Sequence, residues 1–131
     1  GNRRQLILAA QQLGFLHSAI EVKKPDGSAE RTEPQRIKAY LDAEVDPPFP
    51  DLTEYQGMIW RAFLDVGPSM SGAMSEAPLS WAEVDAYARN SPELSEAWEA
   101  ETLVRMSQEY LSEKAKGAEA LTIEPMERGG F

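Results

Sequence analysis

Cysteine is absent from the chain, and histidine occurs once, at His17. The first absence excludes disulfides, thiol nucleophiles and thiolate metal sites, and it fits a reducing compartment. The second leaves a histidine-based triad a single candidate base. His17 falls on the apolar face of the first predicted helix, where a structural or interface histidine is expected. Phosphate-binding glycine loops are missing too. The only glycine pair is Gly129-Gly130, and no GxGxxG, Walker, GxSxG or DxDxDG calcium pattern occurs. No run approaches the roughly 18 continuous apolar residues of a membrane span. The apolar start "LILAA" in "NRRQLILAAQQLGFL" stops at Gln11-Gln12 and reads neither as a span nor as a signal peptide. Alternating strand patterns, hairpin signals and internal repeats are likewise not seen, so the predicted fold class is all-α, a small bundle of about four to five helices with an extended N-terminal arm and a mobile C-terminal tail.

What is there is charge of one sign. The chain has 131 residues, 42% of them hydrophobic, and a formal net charge of -9. That length is one domain by the usual prior and buries a modest core. Residues 1–38 hold 7 Lys and Arg against 4 Asp and Glu, while residues 39–131 hold 6 against 18. Duplex binding needs cations to displace counterions, so nucleic acid is not an expected partner outside the basic first third. An acidic body favours solubility and basic partners.

Three stretches organise the chain: an N-terminal helical arm, 1–46; a helical body, 47–116; and an acidic flexible tail, 117–131. Within the arm, Leu6, Ala10, Leu13, His17 and Ile20 make one stripe at helical spacing over 3–22. Gly14 costs that helix about 1 kcal/mol relative to alanine. "KKPDGSAERTEP" reads as a loop around a Pro-Asp-Gly turn. A short helix follows over 34–43, with Pro34 in its first turn. The prolines of "EVDPPFPD" make a stiff connector.

In the body, Asp51 and Glu54 resemble a capping box. Leu52, Tyr55, Ile59, Ala62, Phe63 and Val66 then form a buried stripe that Gly67-Pro68 ends. "SMSGAMSEA" has the composition of a flexible loop. In "PLSWAEVDAYA", Ser80 and Glu83 form a capping box, Leu79 staples onto Val84, and Trp81, Val84, Tyr87 and Ala88 face inward. Ser91-Pro92 restarts the chain as N-cap and first helical residue of a helix over 92–116, which Gly117 stops.

Paired carboxylates (Glu83/Asp85, Glu96/Glu99, Glu99/Glu101) lack the Glu-x-x-His partners of a bundle metal site. They read as acids favoured near helix N-termini. No catalytic residue, cofactor or metal is therefore expected. Trp60, Trp81 and Trp98 fit a core or an oligomer seam better than a ligand pocket. Leu121, Ile123, Met126 and Phe131 are apolar residues in a polar tail, where they can dock onto a groove or a partner. With Trp60 and Trp98 they are the candidate partner-binding residues.

An aromatic-rich helix, "YQGMIWRAFLDV", is followed by a glycine-containing loop, then "PLSWAEVDAYA" and "ELSEAWEAETLVRMSQEY". This succession, over about residues 47–111, resembles the tail assembly chaperones of tailed bacteriophages and prophages. The resemblance implies a non-catalytic role in virion morphogenesis in the host bacterial cytoplasm. Such chaperones bind the long helical tape-measure protein and aid tail-tube assembly, and the resemblance implies such a partner and a homo-oligomer. Two other readings stand beside it: an acidic inhibitor or decoy of a host protein acting through acids in 76–127, and a virion head–tail connector component. A small enzyme is not expected, since no nucleophile–base or metal set is visible.

Overall fold

A computed structural model describes residues 2–72 and 75–128, leaving the side chain of Asn2 aside. Helix α1 (Asn2–His17) lies along helix α5 (Ala97–Lys116), and this pair is the spine of the fold. Their backbones come close at Gly14, where an added Cβ would stand 2.1 Å from the carbonyl oxygen of Tyr110. Glycine there costs local helix propensity and permits the helix pairing. Leu6, Ala10 and Leu13 join Ile59, Phe63, Val84, Leu103, Met106 and Tyr110 in one buried cluster. Each large side chain so buried contributes about 1.5–3 kcal/mol. The first helix is thus part of the core, and the extended N-terminal arm expected from the sequence is not how it sits.

The all-α expectation is overturned by two small antiparallel sheets. Strands β1 (Ala19–Lys23) and β2 (Ala29–Gln35) pair from Ala19 opposite Gln35 to Lys23 opposite Ala29. The helix expected to reach residue 22 stops at His17. Ser18 turns back, its N–H (3.1 Å) and hydroxyl (2.5 Å) both donating to the carbonyl of Phe15. The Pro-Asp-Gly turn is a hairpin tip: Gly27 N–H donates to Lys24 O at 2.9 Å, and the Asp26 carboxylate accepts the N–H (2.9 Å) and hydroxyl (2.6 Å) of Ser28. Most residues of β2 are exposed on both faces, so no alternation of apolar and polar residues marks the strand. Pro34 lies inside β2, on an edge where its missing N–H is tolerated. Helix α2 (Ile37–Ala43) therefore starts later than expected and ends in a left-handed residue, Glu44, at φ 56°.

Helix α3 (Glu54–Val66) has its box two residues later than expected. Thr53, not Asp51, is the N-cap: its hydroxyl accepts Gln56 N–H at 3.1 Å, and Gln56 Oε1 accepts Thr53 N–H at 2.9 Å. Ile59, Ala62 and Phe63 are buried as the stripe requires, whereas Tyr55 is exposed. The segment expected to be a loose loop carries β3 (Met70–Ser71) and β4 (Glu76–Ala77), which pair antiparallel.

Helix α4 (Trp81–Arg89) starts where the sequence says. Ser80 hydroxyl accepts Glu83 N–H at 3.1 Å, and Leu79 and Val84 are both buried. Buried Ser107 fixes this start to α5, accepting Leu79 N–H at 2.8 Å and donating to Pro68 O at 2.7 Å. Trp81 is not on the inward face; it is 58% exposed. Ser91 and Pro92 open a turn rather than α5, whose N-cap is Glu96; its N–H donates to Glu99 Oε1 at 2.9 Å.

The tail is not loose either. It ends, among the described residues, in a short 3-10 turn at Pro125–Glu127, with Pro125 buried, and this turn packs on α1.

Candidate docking groove and clamped tail

Where α1 ends, Phe15, Leu16 and Ile20 face Pro34, Ala39 and Tyr40 across an open groove of about 540 Å³. Arg36, Lys38 and Asp42 supply its charged lining. Helix α2 walls the groove with Ile37 and Tyr40 only half-buried. None of its seven residues is buried, and Leu41 is 64% exposed. Arg36 is the bracket. Its guanidinium stands 4.5 Å over the ring of Phe15, a cation–π arrangement. It also donates to Ser18 Oγ at 2.6 Å and to the carbonyls of Gly117 and, at 3.3 Å, Glu119. Gly117 is required at this junction because a Cβ would fall 2.0 Å from Ser18 Oγ. The N–H of Glu21 donates to Ala118 O at 2.9 Å, so the hairpin, α2 and the end of α5 meet here.

The tail is clamped by buried polar groups. Gln12, fully buried on α1, donates to Glu124 Oε1 at 2.5 Å and accepts Met126 N–H at 3.2 Å. Glu113, buried on α5, takes both ends of the Arg128 guanidinium at 2.8 and 2.5 Å. Burial works against ionisation of Glu113. The hydrogen bonds and charge of Arg128, with Lys116 behind them, outweigh it and hold the carboxyl below its ordinary range.

The candidate residues scatter. Leu121 and Ile123 stand outward on the clamped tail, 93% and 60% exposed, while Met126 is half-buried. Phe131 lies outside the described residues. Trp60 is half-buried between Phe49 and Phe63, with ring centroids at 5.8 and 5.4 Å; Trp98 is half-buried against Tyr55 at 5.9 Å. These tryptophans pack on the core, and neither lines the groove.

His17 has a polar neighbourhood of its own. Its Nδ1 lies 2.6 Å from the hydroxyl of Tyr110, ring edge to ring face. Burial lowers the histidine pKa, Lys114 adds to that, and Glu76 opposes it. Burial and then Glu76 push Tyr110 up to about 12. A neutral imidazole can accept the Tyr110 hydroxyl proton at Nδ1. Lys114 Nζ pairs with Glu76, which also accepts Ser69 hydroxyl at 2.7 Å. On the other side of the core, the hydroxyl of Tyr55 donates to buried Glu99; that bond, with burial, raises Tyr55 to about 12. Among the described residues no group of three or more His, Asp and Glu could hold a metal, and no helix is long and apolar enough to cross a membrane.

The residues that shape this region escaped the sequence reading. One signal was available: Leu8, Ala9, Gln12 and Leu16 form a second buried stripe on α1, with a polar residue at its centre. Arg36, Glu113 and Arg128 carry no such local mark. No family model, no curated protein and no solved structure matches this chain.

Proposed function

We propose that this chain is a non-catalytic, protein-binding component of tailed-phage morphogenesis, a tail assembly chaperone that takes up an apolar helix of the tape-measure protein in the groove beside α2. The observation that carries the binding reading is α2 itself: a helix of two turns that buries none of its residues and walls an apolar groove. Helices this short draw their stability from packing, and α2 leaves a packing face open. A groove lined by Phe15, Ile20, Ala39 and Tyr40 suits side chains presented at i, i+3 and i+4 by a partner helix. The phage assignment is supported by the resemblance of residues 47–111, and the net charge of -9 suits a protein that must keep an apolar partner in solution.

Co-expression with a tailed-phage tape-measure protein tests the reading. The intact chain is expected to co-purify with it and to raise its soluble yield, and Ala39→Glu, exposed in the groove wall, is expected to abolish both. No co-purification by the intact chain, or equal co-purification by the variant, contradicts it. An acidic decoy acting through residues 76–127 would instead keep its binding in Ala39→Glu and lose it on charge reversal in that segment.

A further inference from the structure

Leu8, Gln12 and Leu16 are spaced four residues apart, so they stack on one face of α1. The three meet different surroundings. Leu8 lines a second cleft, about 330 Å³, along the seam between α1 and α5, with Ile7, Thr102, Arg105 and Glu109 among its walls. Leu16 lines the groove beside α2. Gln12, between them, lies under the tail, bonded to Glu124 and to the N–H of Met126. The same order runs along α5. Glu109 is in the second cleft, Glu113 one turn on is under Arg128, and the carbonyl of Gly117 one turn further is tied to Arg36 at the groove. The tail therefore crosses the seam between two clefts that share its helix faces. Its hold is of a kind that can be released. Pro125 alone of residues 118–128 is buried, while Leu121 and Ile123 face solvent. The ties of this turn to α1 and α5 side chains are hydrogen bonds and one ion pair. Such bonds contribute little net free energy, because water replaces them. Once uncovered, Gln12 and Glu113 meet water, so opening leaves neither polar group orphaned.

We propose that residues 124–128 form a strap that closes the middle of one channel, and that its release joins the two clefts along α1 and α5. The face opened from Leu8 to Leu16 is about 12 Å long at helical rise, and it continues into the groove beside α2. A long helix with a repeating apolar stripe presents contacts over such a length, whereas the groove alone engages only a short part of it. The proposal rests on the reading that this groove takes an apolar helix. It adds regulation of that site: strap and partner helix compete for the same seam.

Two measurements on the full chain test the strap, the first without a partner. Anilinonaphthalene sulfonate brightens on exposed apolar surface. It is expected to fluoresce about threefold more strongly with Arg128→Ala and with Glu124→Ala than with the intact chain, while far-ultraviolet circular dichroism stays unchanged. Thr53→Ala, which weakens the fold at the start of α3 instead, is the control and is expected to match the intact chain. Equal dye signals in all four chains overturn the strap, and so does a rise that Thr53→Ala shares. The second measurement titrates the nitrogen-labelled chain with a helical segment of a tape-measure protein. Amide shifts are expected to extend from the groove through Gln12 to Leu8, and the Met126 amide is expected to lose its protection from hydrogen exchange as its bond to Gln12 breaks. Arg128→Ala is expected to bind the segment about tenfold more tightly than the intact chain, since the competitor is loosened. Binding equally tight in both chains, with Met126 still protected, retires the strap and keeps the groove. A dye rise confined to the two strap variants, with no segment bound by either chain, retires the helix and keeps the strap.

Discussion

Arg128 meets Glu113 in a two-pronged ion pair, 2.8 and 2.5 Å across, that joins the tail to a carboxylate otherwise sealed inside the fold. Replacing Arg128 with Ala leaves that carboxylate buried and short of its main partner. The loss is expected to be about 2 kcal/mol, less than for a fully buried pair because the Arg128 side chain is 37% exposed. The folded pKa of Glu113 is depressed, so its contribution is present above the ordinary carboxyl pKa and disappears as pH falls through the folded value. Urea unfolding between pH 3 and 7 should show a steeper acid-side loss in the intact chain than in Arg128→Ala.

At His17 the sign is also fixed by a lowered pKa. The folded state favours neutral imidazole, so stability is full above the ordinary value of 6.5 and is lost as pH falls below it toward the folded pKa. The groups facing the ring are Tyr110 and Lys114 on α5 and Glu76 on β4. Tyr110→Phe removes the donor from Nδ1 and is expected to cost about 1 kcal/mol. It should also shift the imidazole titration upward, which NMR of the single histidine reads directly.

Gly14→Ala separates propensity from packing. On an isolated helix it would stabilise by about 1 kcal/mol. Here the new Cβ meets the Tyr110 carbonyl, and the expected outcome is a loss of about 3 kcal/mol, measured by chemical unfolding.

The start of α3 gives a paired comparison. Thr53→Ala is expected to cost about 1 kcal/mol and Asp51→Ala much less, because only Thr53 caps the helix. Equal effects in thermal unfolding would return the cap to Asp51.

These cases mark what the sequence makes legible. The α3 stripe at Ile59, Ala62 and Phe63, the Ser80 cap and the Gly117 stop rest on interactions between residues three or four apart, and these are found, while Tyr55 at the stripe's start is exposed. The β1–β2 hairpin is missed because β2 is charged and almost wholly exposed, and the alternation of β1, half-buried Ile20 and Val22 between exposed Glu21 and Lys23, lasts only four residues. The clamped tail is missed because Gln12 meets Glu124, and Glu113 meets Arg128, only once the chain has folded. The groove is hidden for the same reason: Phe15 and Tyr40 become neighbours across a hairpin whose existence had to be known first.

The central claim is that the groove beside α2 receives an apolar helix, and amide shift mapping tests it most directly. The nitrogen-labelled full chain is titrated with a helical segment of the tape-measure protein. The expected result is a set of saturable shifts centred on Phe15, Ile20, Ala39 and Tyr40, absent in Ala39→Glu. Shifts confined to α3 and α4, or none at saturating peptide, would contradict it.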